Sequence, residues 1–299
     1  MTDDTIPLFL NPTAGRGRAG RRIARIEQLF AERNIPITVV TSRAMSDLES
    51  RVTTHINDGA RKIIVAGGDG SIHEAVNGML RADKESSLGV IPTGTGNDFA
   101  KACDIMLDWE EATRALADRL AANAATRKID VGRMNDRYFA NGAGIGFDAK
   151  VTRVARAFRW RIGDLVYLFA ILRCLYDGVA SPEIAISSDD FSLQGPLTLA
   201  SVSNGPWVGG MFHIAPTASN ADGNLDLLIV APVSRLRVLA LLPSLMRGRH
   251  MSEAEITHII AQSVTVNSEL PLESHLDGEV QPLQSRFEFS ILPRALNLL

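Results

Sequence analysis

The first 128 residues alternate short apolar runs with stretches of helical periodicity, and this alternation constrains the fold more than any other feature of the sequence. The predicted strands are Ile6–Leu10, Ile35–Val40, Lys62–Ala66 and Leu88–Ile91, and the predicted helices are Arg21–Arg33, Ser46–Asn57, Ser71–Leu80 and Glu110–Ala122. Strands that alternate with helices predict a parallel sheet covered on both faces. We therefore expect a doubly wound α/β domain over residues 1–128.

After residue 128 the pattern changes to short strands punctuated by glycine and proline. The predicted strands are Lys128–Met134, Arg137–Asn141, Glu183–Ser187, Leu197–Ser203, Leu225–Val230, Ser263–Val266 and Phe287–Ile291. Asn135-Asp136 is typical of a hairpin turn, and helices are predicted over Ala149–Tyr176 and Ser234–Arg247. This pattern favours a β-rich sandwich or barrel domain over residues 129–299, with the extreme C-terminus free to pack back on the first domain.

Composition limits the function classes. The chain has 299 residues and a net charge of -3, so charge gives no case for nucleic-acid binding. No apolar run approaches the roughly 20 residues that span a bilayer, and no secretory signal begins the sequence. We expect a cytoplasmic protein, with peripheral contact at the inner membrane face left open. Cys103 and Cys174 are expected to be buried free thiols, and the oligomeric state, a homo-oligomer included, stays open.

Four loops follow predicted strands of the first domain, where ligands of open α/β sheets bind. Asn11 to Gly17 contains Gly15 and Gly17, which could bring backbone N–H groups to a phosphate, although for this loop by itself a plain strand-to-helix turn is the better explanation. Gly67-Gly68-Asp69-Gly70-Ser71 has three glycines in four residues, which favours a tight bend or close contact with a ligand. Ser71 could cap the next helix, and Asp69 could hold a cation-linked water or orient a donor.

Two further strand ends carry hydroxyl groups. Pro92-Thr93-Gly94-Thr95-Gly96-Asn97-Asp98 follows the fourth predicted strand, and Thr95 could meet a phosphate while Asn97 or Asp98 starts a helix. A capped turn without a ligand is the alternative for this loop. Thr41 ends the second predicted strand and is a weaker candidate for nucleotide contact.

Taken in order, these motifs resemble a known family. Gly67-Gly68-Asp69-Gly70 followed by Pro92 to Ala100 resembles the catalytic domain of diacylglycerol kinases, soluble bacterial lipid kinases above all, with sphingosine and ceramide kinases as relatives. Asn11 to Gly17, Asn141 to Asp148 and Leu276 to Glu279 fit in the same order, so the resemblance runs from residue 11 to 279. NAD kinases and phosphofructokinases share the double-glycine loop alone, and only the ordered set is specific.

The resemblance implies a first domain like that of NAD kinase and a β-rich second domain that completes a lipid site. It also implies an ATP site in the cleft between the domains, lined by Asn11, Thr41, Gly67, Gly68, Asp69, Gly70, Ser71, Ile72, His73 and Thr95.

Phosphoryl transfer to an alcohol needs Mg²⁺ on the phosphates and a base for the hydroxyl proton. Asp277-Gly278-Glu279 is a compact acidic candidate, because Gly278 allows a sharp bend. An exposed turn explains the same residues, but the resemblance favours catalysis. We expect Glu279 to be the general base, with Asp277 orienting it or sharing that role.

A second acidic loop runs from Ser219 to Asp226 and is rich in oxygen donors. The resemblance implies a structural Mg²⁺ held there by the carbonyls of Ser219 and Asn224 and by Asp222, because hard cations take carboxylate and carbonyl oxygens. A solvated turn is the alternative.

A basic segment with aromatic residues lies in the second domain. Its cations are Lys150, Arg153, Arg156, Arg159 and Arg161, with Phe158 and Trp160 between them. Such a helix could rest on anionic headgroups, or it could be an ordinary solvated face. Downstream, Leu165, Leu168, Phe169 and Leu172 are expected in the core, with contact to an acyl chain as the alternative.

We therefore expect an ATP-dependent kinase that phosphorylates the hydroxyl of a membrane lipid, diacylglycerol first. One alternative is a kinase for NAD or another soluble acceptor, but His73-Glu74 stands near the place where NAD kinases carry an Asn-Glu pair. A non-catalytic nucleotide or lipid sensor is the other alternative, which Asp69, Asp98 and Glu279 disfavour because a sensor needs no base. No HExxH or GxSxG motif indicates a zinc enzyme or a hydrolase.

Overall fold

The computed structural model describes residues 5–11, 18–42, 47–158 and 165–299. Its chain forms two compact units, Met1–Ile129 with Arg294–Leu299 and Asp130–Pro293.

The first unit consists of strands and helices in alternation. In chain order they are β1 (Ile6–Leu10), α1 (Arg18–Ala31), β2 (Ile37–Thr41), α2 (Asp47–Asn57), β3 (Lys62–Gly67), α3 (Asp69–Leu80), β4 (Ser87–Pro92), α4 (Asp98–Ala102) and α5 (Trp109–Ala121). The strands lie in the order β4-β3-β1-β2 and are all parallel. Asn297 and Leu298, at the end of the chain, add a further parallel pairing beside β4. This is the α/β domain that the sequence predicts.

Helices cover both faces of this sheet because successive strand side chains point to opposite sides. Leu8 and Leu10 of β1 face α1 and α5, where Ile26 and Phe30 join one buried cluster. On the other face, the ring of Phe9 meets His55 of α2 edge-on, with centroids 5.2 Å apart. Helix α1 turns Ile26, Leu29 and Phe30 towards the sheet, and all three are buried.

The second unit is rich in antiparallel strands. Its strands are β5 (Arg127–Met134), β6 (Arg137–Phe139), β7 (Gly142–Gly146), β8 (Glu183–Ser187), β9 (Ser192–Pro196), β10 (Leu199–Ser203), β11 (Leu225–Val230), β12 (Ile256–Ala261), β13 (Ser263–Leu276) and β14 (Glu279–Leu298), and its helices are α6 (Phe147–Ala157), α7 (Leu165–Asp177) and α8 (Arg235–Met246). The predicted hairpin at Asn135-Asp136 is confirmed, since β5 and β6 pair on either side of it.

The hairpin of β13 and β14 belongs to both layers of the sandwich, because β13 pairs with a strand of each layer. The first part of β13 pairs with β8, and its last residues, Ser274 to Leu276, pair with β7. Between them the register with β14 shifts twice, from Asn267 to Leu272 and from Leu272 to Ser274. Such bulges bend a strand. The bent hairpin encloses a buried cluster that includes Ile145, Val202 and Phe287.

Two predictions in this unit are wrong. Helix α6 ends at Ala157, because Phe158 has extended backbone angles (φ −72°, ψ 126°), so the segment from Ala149 to Tyr176 is not one helix. Leu165, Phe169 and Leu172 were expected in the core, but they are 48%, 40% and 44% exposed. Leu168 does pack against a buried cluster. Arg159, Trp160 and Arg161 lie outside the described residues.

Cys103 and Cys174 are buried thiols that form no disulfide, as predicted, and burial raises the pKa of the Cys174 thiol. Among the described residues, none of the helices combines the length and the apolar character needed to cross a bilayer.

Candidate active site

The carboxyl ends of the four parallel strands meet at one edge of the first unit. Leu10, the last residue of β1, is in register with Thr41 of β2 and with Ala66 of β3, and Gly67 of β3 is in register with Pro92 of β4. Each candidate loop therefore leaves the sheet at this edge. Asn11, Thr41, Gly67 and the 92–98 loop therefore lie side by side, because each stands at the end of one of these neighbouring strands.

The connection order marks one crevice within this edge. From β1 the chain passes to β2 on one side, and it then crosses over to β3 on the other side of β1. The strand order therefore reverses between β1 and β3, which is where open α/β sheets bind their ligands. Asn11 follows β1, and Gly68 follows β3, so both lie at this crevice.

Two glycines let the second and third loops touch. A Cβ added to Gly94 would stand 2.5 Å from the Cα of Gly68, a distance that no real side chain tolerates. The N–H of Thr93 donates to the carbonyl of Gly67 at 3.0 Å, which holds the two loops together. Asn97 takes left-handed angles (φ 52°) and closes the turn, because its side-chain Oδ1 accepts from the N–H of Gly94 at 3.1 Å.

Helix α3 starts directly at the crevice. Its N-cap residue is Gly68, which has no side chain to satisfy the first N–H groups. The prediction that Ser71 caps this helix is wrong, since Ser71 is already its third residue. Oδ1 of Asp69 accepts from the N–H of Phe99 at 3.0 Å and so ties α3 to α4. An uncapped helix N-terminus of this length is suited to an anion.

The other predicted nucleotide contacts differ in exposure. Thr41 and Thr95 are exposed and Asn11 is half-buried, whereas the side chains of Ile72 and His73 are buried. The side chains of Ile72 and His73 are therefore closed to a ligand, and the N–H of Ile72 already donates to the carbonyl of Gly68 at 3.1 Å. Residues 12–17, with Gly15 and Gly17, lie outside the described residues. Sequence reasoning passed over Thr93, whose buried Oγ1 has no hydrogen-bond partner among the described residues.

In the second unit, Asp277 and Gly278 form the two-residue turn between β13 and β14. Both have positive φ, 49° and 83°, which is the geometry of the tightest hairpin connection and favours Asp followed by Gly. Leu276 and Glu279 pair across the turn. The sequence motif therefore has a structural cause.

Asp277 anchors this turn to the residues that lead into β7. Its carboxylate accepts three backbone N–H groups, from Ala140 at 2.9 Å, Asn141 at 2.8 Å and Gly142 at 3.0 Å. In return, its own N–H donates to the carbonyl of Gly142 at 2.8 Å. Bonds from backbone donors to a charged acceptor are strong. Asp277 thus fixes the position of Glu279, while the proton-transfer roles of both acids stay a prediction.

Glu279 is half-buried beside an arginine of α6. Nη1 of Arg156 lies 2.5 Å from its Oε1 and donates to the carbonyl of Gly278 at 3.0 Å. On the same helix, Arg153 pairs with Glu273 at 3.0 Å. Two of the cations predicted to face a membrane are therefore engaged within the protein.

His275 and Asp148 form a second polar pair beside the turn. The imidazole of His275 is buried, and the N–H of Gly278 donates to its Nδ1 at 3.4 Å. In the neutral ring this leaves the proton on Nε2, which lies 3.6 Å from Oδ2 of Asp148. Both groups stand over Gly144, where any Cβ would collide with them. Sequence reasoning missed this pair because 127 positions of sequence separate its members (275 − 148).

The pair lies at the wall of an apolar cavity within the second unit. The cavity has about 910 Å³ of atom-free space, its open side included. Most of its lining is aliphatic or aromatic, supplied by α6, α7, α8 and the strands beneath them; Asp148, Thr152, Tyr167, Thr198, His250 and His275 are the polar residues. Burial lowers the pKa of His250.

The predicted metal loop is held by a buried acid. Oδ2 of Asp130 accepts from the N–H of Gly223 at 2.7 Å, and Oδ1 of Asp222 accepts from the N–H of Asn224 at 3.0 Å. Ser219 is exposed. In the described part of the chain, no three His, Cys, Asp or Glu side chains are placed so that they could hold a metal ion together. One carboxylate with backbone carbonyls fits a hard cation and does not fit zinc.

Both parts of the chain match known protein families. Residues 5–134 match the model of the diacylglycerol kinase catalytic domain, and residues 142–299 match the YegS C-terminal NAD kinase beta sandwich-like domain. A diacylglycerol kinase of Bacillus subtilis is 32% identical, with 91% of this chain and 88% of that protein covered. A diacylglycerol kinase of Mycobacterium tuberculosis is 29% identical, with 98% and 94% covered.

A solved structure agrees on the fold. The crystal structure of a diacylglycerol kinase from Bacillus anthracis has a TM-score of 0.74 and 20% identity, with 100% of this chain and 97% of that chain covered.

The α/β unit, the β-sandwich and the ordered glycine loops thus define a lipid kinase, an enzyme of the transferase class. The chain belongs to the diacylglycerol kinase family, with the YegS-type C-terminal domain.

Proposed function

We propose that this enzyme transfers the γ-phosphate of ATP to the free hydroxyl of a diacylglycerol, giving phosphatidic acid and ADP. The observation that carries the proposal is the apolar cavity of the second unit, whose polar end reaches the Asp277-Gly278 turn. A soluble acceptor such as NAD has no use for an aliphatic cavity of this size, whereas acyl chains fill it.

The nucleotide part of the proposal rests on the first unit. The crevice between β1 and β3, the contact of Gly68 with Gly94 and the uncapped N-terminus of α3 together suit a triphosphate. Backbone N–H groups and the helix dipole both favour negative charge there. Asn11, Thr41 and Thr95 are the side chains at this edge that would contact the nucleotide.

The acceptor part rests on Asp148 and His275. The Nε2–H of His275 can donate, and Oδ2 of Asp148 can accept, across a gap of 3.6 Å. A hydroxyl is both donor and acceptor, so it satisfies both groups at once. An ammonium group can only donate, and an ester carbonyl can only accept. The pair therefore favours an alcohol at the polar end of the cavity.

Glu279 completes the reaction as general base. The acceptor oxygen bonds to the γ-phosphorus, the bond from that phosphorus to the bridging oxygen breaks, ADP leaves, and the hydroxyl proton passes to the Glu279 carboxylate. Arg156 and the anchored turn hold this carboxylate in one place. Mg²⁺ supplied with the nucleotide would neutralise the phosphate charge.

A second Mg²⁺ would be structural. The carbonyls of Ser219 and Asn224 and the carboxylate of Asp222 would hold it at the loop before β11. Its contribution would be to the stability of this loop.

A transfer assay with labelled ATP tests the proposal. Wild-type enzyme is incubated with dispersed diacylglycerol, sphingosine, phosphatidylglycerol or NAD, and the lipid is extracted. We expect label in the organic phase with diacylglycerol, and label on NAD alone would replace the lipid acceptor with a soluble one. Asp148→Asn is the matched variant: it keeps the shape of the side chain and is expected to raise the KM for diacylglycerol while leaving that for ATP unchanged.

A further inference from the structure

Helix α7 presents an apolar stripe to the outside. Leu165, Phe169, Leu172 and Tyr176 recur every three to four residues and therefore share one helical face. All four are exposed, Tyr176 by 78%. On its other side α7 is also apolar, since Tyr167 and Ile171 line the cavity. A surface helix of an ordinary globular protein has a mostly polar outer face, whereas the outer face of α7 carries these four apolar or aromatic residues beside a single ion pair, Arg173 with Asp177.

Helix α8 repeats this pattern. Leu236, Leu239 and Met246 are exposed, Leu236 by 79%, and they follow one face of the helix. Val238, Leu241 and Leu245 point to the cavity instead. Both helices therefore lie between the apolar cavity and the solvent, and each carries apolar residues on its cavity side and on its solvent side. Exposed apolar groups gathered in this way mark an interaction surface.

Cations flank this surface. Arg235 stands at the start of α8, and Arg247 and Arg249 follow its end; all three are exposed and have no ion pair among the described residues. The acids near these helices are already paired: Asp177 with Arg173, and Glu253 and Glu255 with Arg237. The charge at the edges of the apolar stripe is therefore positive, which complements an anionic partner.

We propose that α7 and α8 form a docking surface that inserts into the headgroup region of an anionic lipid bilayer. The surface is defined by Leu165, Phe169, Leu172, Tyr176, Leu236, Leu239 and Met246. We assign a bilayer as the partner because the exposed apolar residues, the flanking arginines and the cavity behind the same two helices occur together. In addition, the cavity must receive a lipid that is embedded in a membrane. The last point rests on the proposed function.

This surface differs from the basic segment at residues 150–161, whose Arg153 and Arg156 are paired within the protein. The salt dependence of vesicle binding distinguishes docking through α7 and α8 from docking through this basic segment. Insertion of apolar side chains survives high salt in part, whereas purely electrostatic docking does not.

The test compares Phe169→Glu with Leu236→Glu, singly and combined, against Leu270→Glu and Leu283→Glu as controls. Leu270 and Leu283 are exposed apolar residues of β13 and β14, outside the docking surface. Co-sedimentation is measured with phosphatidylcholine vesicles with and without phosphatidylglycerol. Kinase activity is measured on long-chain diacylglycerol in vesicles and on a short-chain, water-soluble diacylglycerol.

We expect the combined variant to lose sedimentation at least about tenfold, together with activity on the vesicle substrate, while activity on the short-chain substrate persists. Both controls should behave as wild type. Equal sedimentation of the variant and wild type would overturn the proposal. So would a wild-type dimer in solution that the variant dissociates, because a second copy would then cover these helices. Failure of wild type to phosphorylate the short-chain lipid would instead contradict the proposed function, and the sedimentation data would still decide the docking surface.

Discussion

Nη1 of Arg156 lies 2.5 Å from Oε1 of Glu279 and places a positive charge beside this carboxylate. The other acid of the turn, Asp277, instead accepts hydrogen bonds from backbone N–H groups. The two acids of this motif thus have different surroundings: Asp277 accepts three N–H groups, and Glu279 meets a side chain. Their substitutions should have different consequences.

Glu279→Gln should lower turnover by a factor on the order of 10² or more, because the amide cannot take the hydroxyl proton. Nucleotide affinity should be unchanged. Turnover and nucleotide binding are measured separately, with Glu288→Gln as the matched control, since Glu288 is also ion-paired on β14, with Arg286 at 2.6 Å. Near-normal turnover of the Glu279 variant would remove this residue from the role of base.

Asp277→Asn should reduce stability. The amide group replaces an acceptor by a donor opposite the N–H groups of residues 140–142, which leaves at least one of them unsatisfied at a cost of about 1–3 kcal/mol. Urea denaturation measures the change, with Glu279→Gln as the reference that should stay within about 0.5 kcal/mol of wild type. Equal stability of both variants would show that the three hydrogen bonds contribute little.

Gly94→Ala should weaken nucleotide binding. The new methyl group would stand 2.5 Å from the Cα of Gly68 and push the two loops apart, at an overpacking cost of about 1–3 kcal/mol. Affinity for a fluorescent ATP analogue should fall about tenfold. Gly142→Ala is the control, because its Cβ would meet no atom closer than 3.5 Å. Unchanged affinity in Gly94→Ala would argue against phosphate contact at these loops.

Stability should decrease as the pH falls below about 6.5, the ordinary pKa of histidine. Burial lowers the pKa of both His213 and His250. The unfolded chain therefore binds protons that the folded chain does not, so the stabilisation is fully present above the unfolded pKa and is lost as pH falls through the folded pKa. Tm should fall as the pH is lowered from about 7.5 to 5.5, and it should fall less steeply with pH in His250→Gln than in wild type. A Tm that rises in this window would contradict the assignment.

Mg²⁺ should stabilise the protein without nucleotide. A cation that binds only the folded loop stabilises the protein by RT ln(1 + c/Kd), where c is the magnesium concentration, so Tm rises as the magnesium concentration rises. Asp222→Ala should abolish the rise, whereas Asp190→Ala, another exposed acid of the second unit, should not. If magnesium chloride shifts Tm no more than sodium chloride of equal ionic strength, the loop is a solvated turn.

Local patterns predict the first unit well because its apolar runs and helical faces are short-range signals. All four strands are found within two residues of the predicted bounds, and the glycine loops follow them. The predictions fail where the signal is not local. Ser263–Leu276 and Glu279–Leu298 are far longer than the apolar runs inside them, because their outer residues are polar and their pairing depends on distant strands.

The candidate site shows the same division. Ser71 looks like a helix cap in the sequence, but Gly68 takes that position because the helix starts as soon as β3 ends. Leu165 and Phe169 look like core residues because periodicity reports one apolar face and cannot say which side meets solvent. The pairing of Asp148 with His275 depends on how β7 and β13 lie together, which no spacing in the sequence reveals.

Incubation of labelled ATP with purified protein and dispersed diacylglycerol measures whether the ATP γ-phosphate is transferred to a lipid hydroxyl. We expect labelled phosphatidic acid in the organic phase with wild type, and about one hundredth of that rate or less with Glu279→Gln. Label that reaches none of the lipids, or that reaches NAD instead, would contradict this expectation.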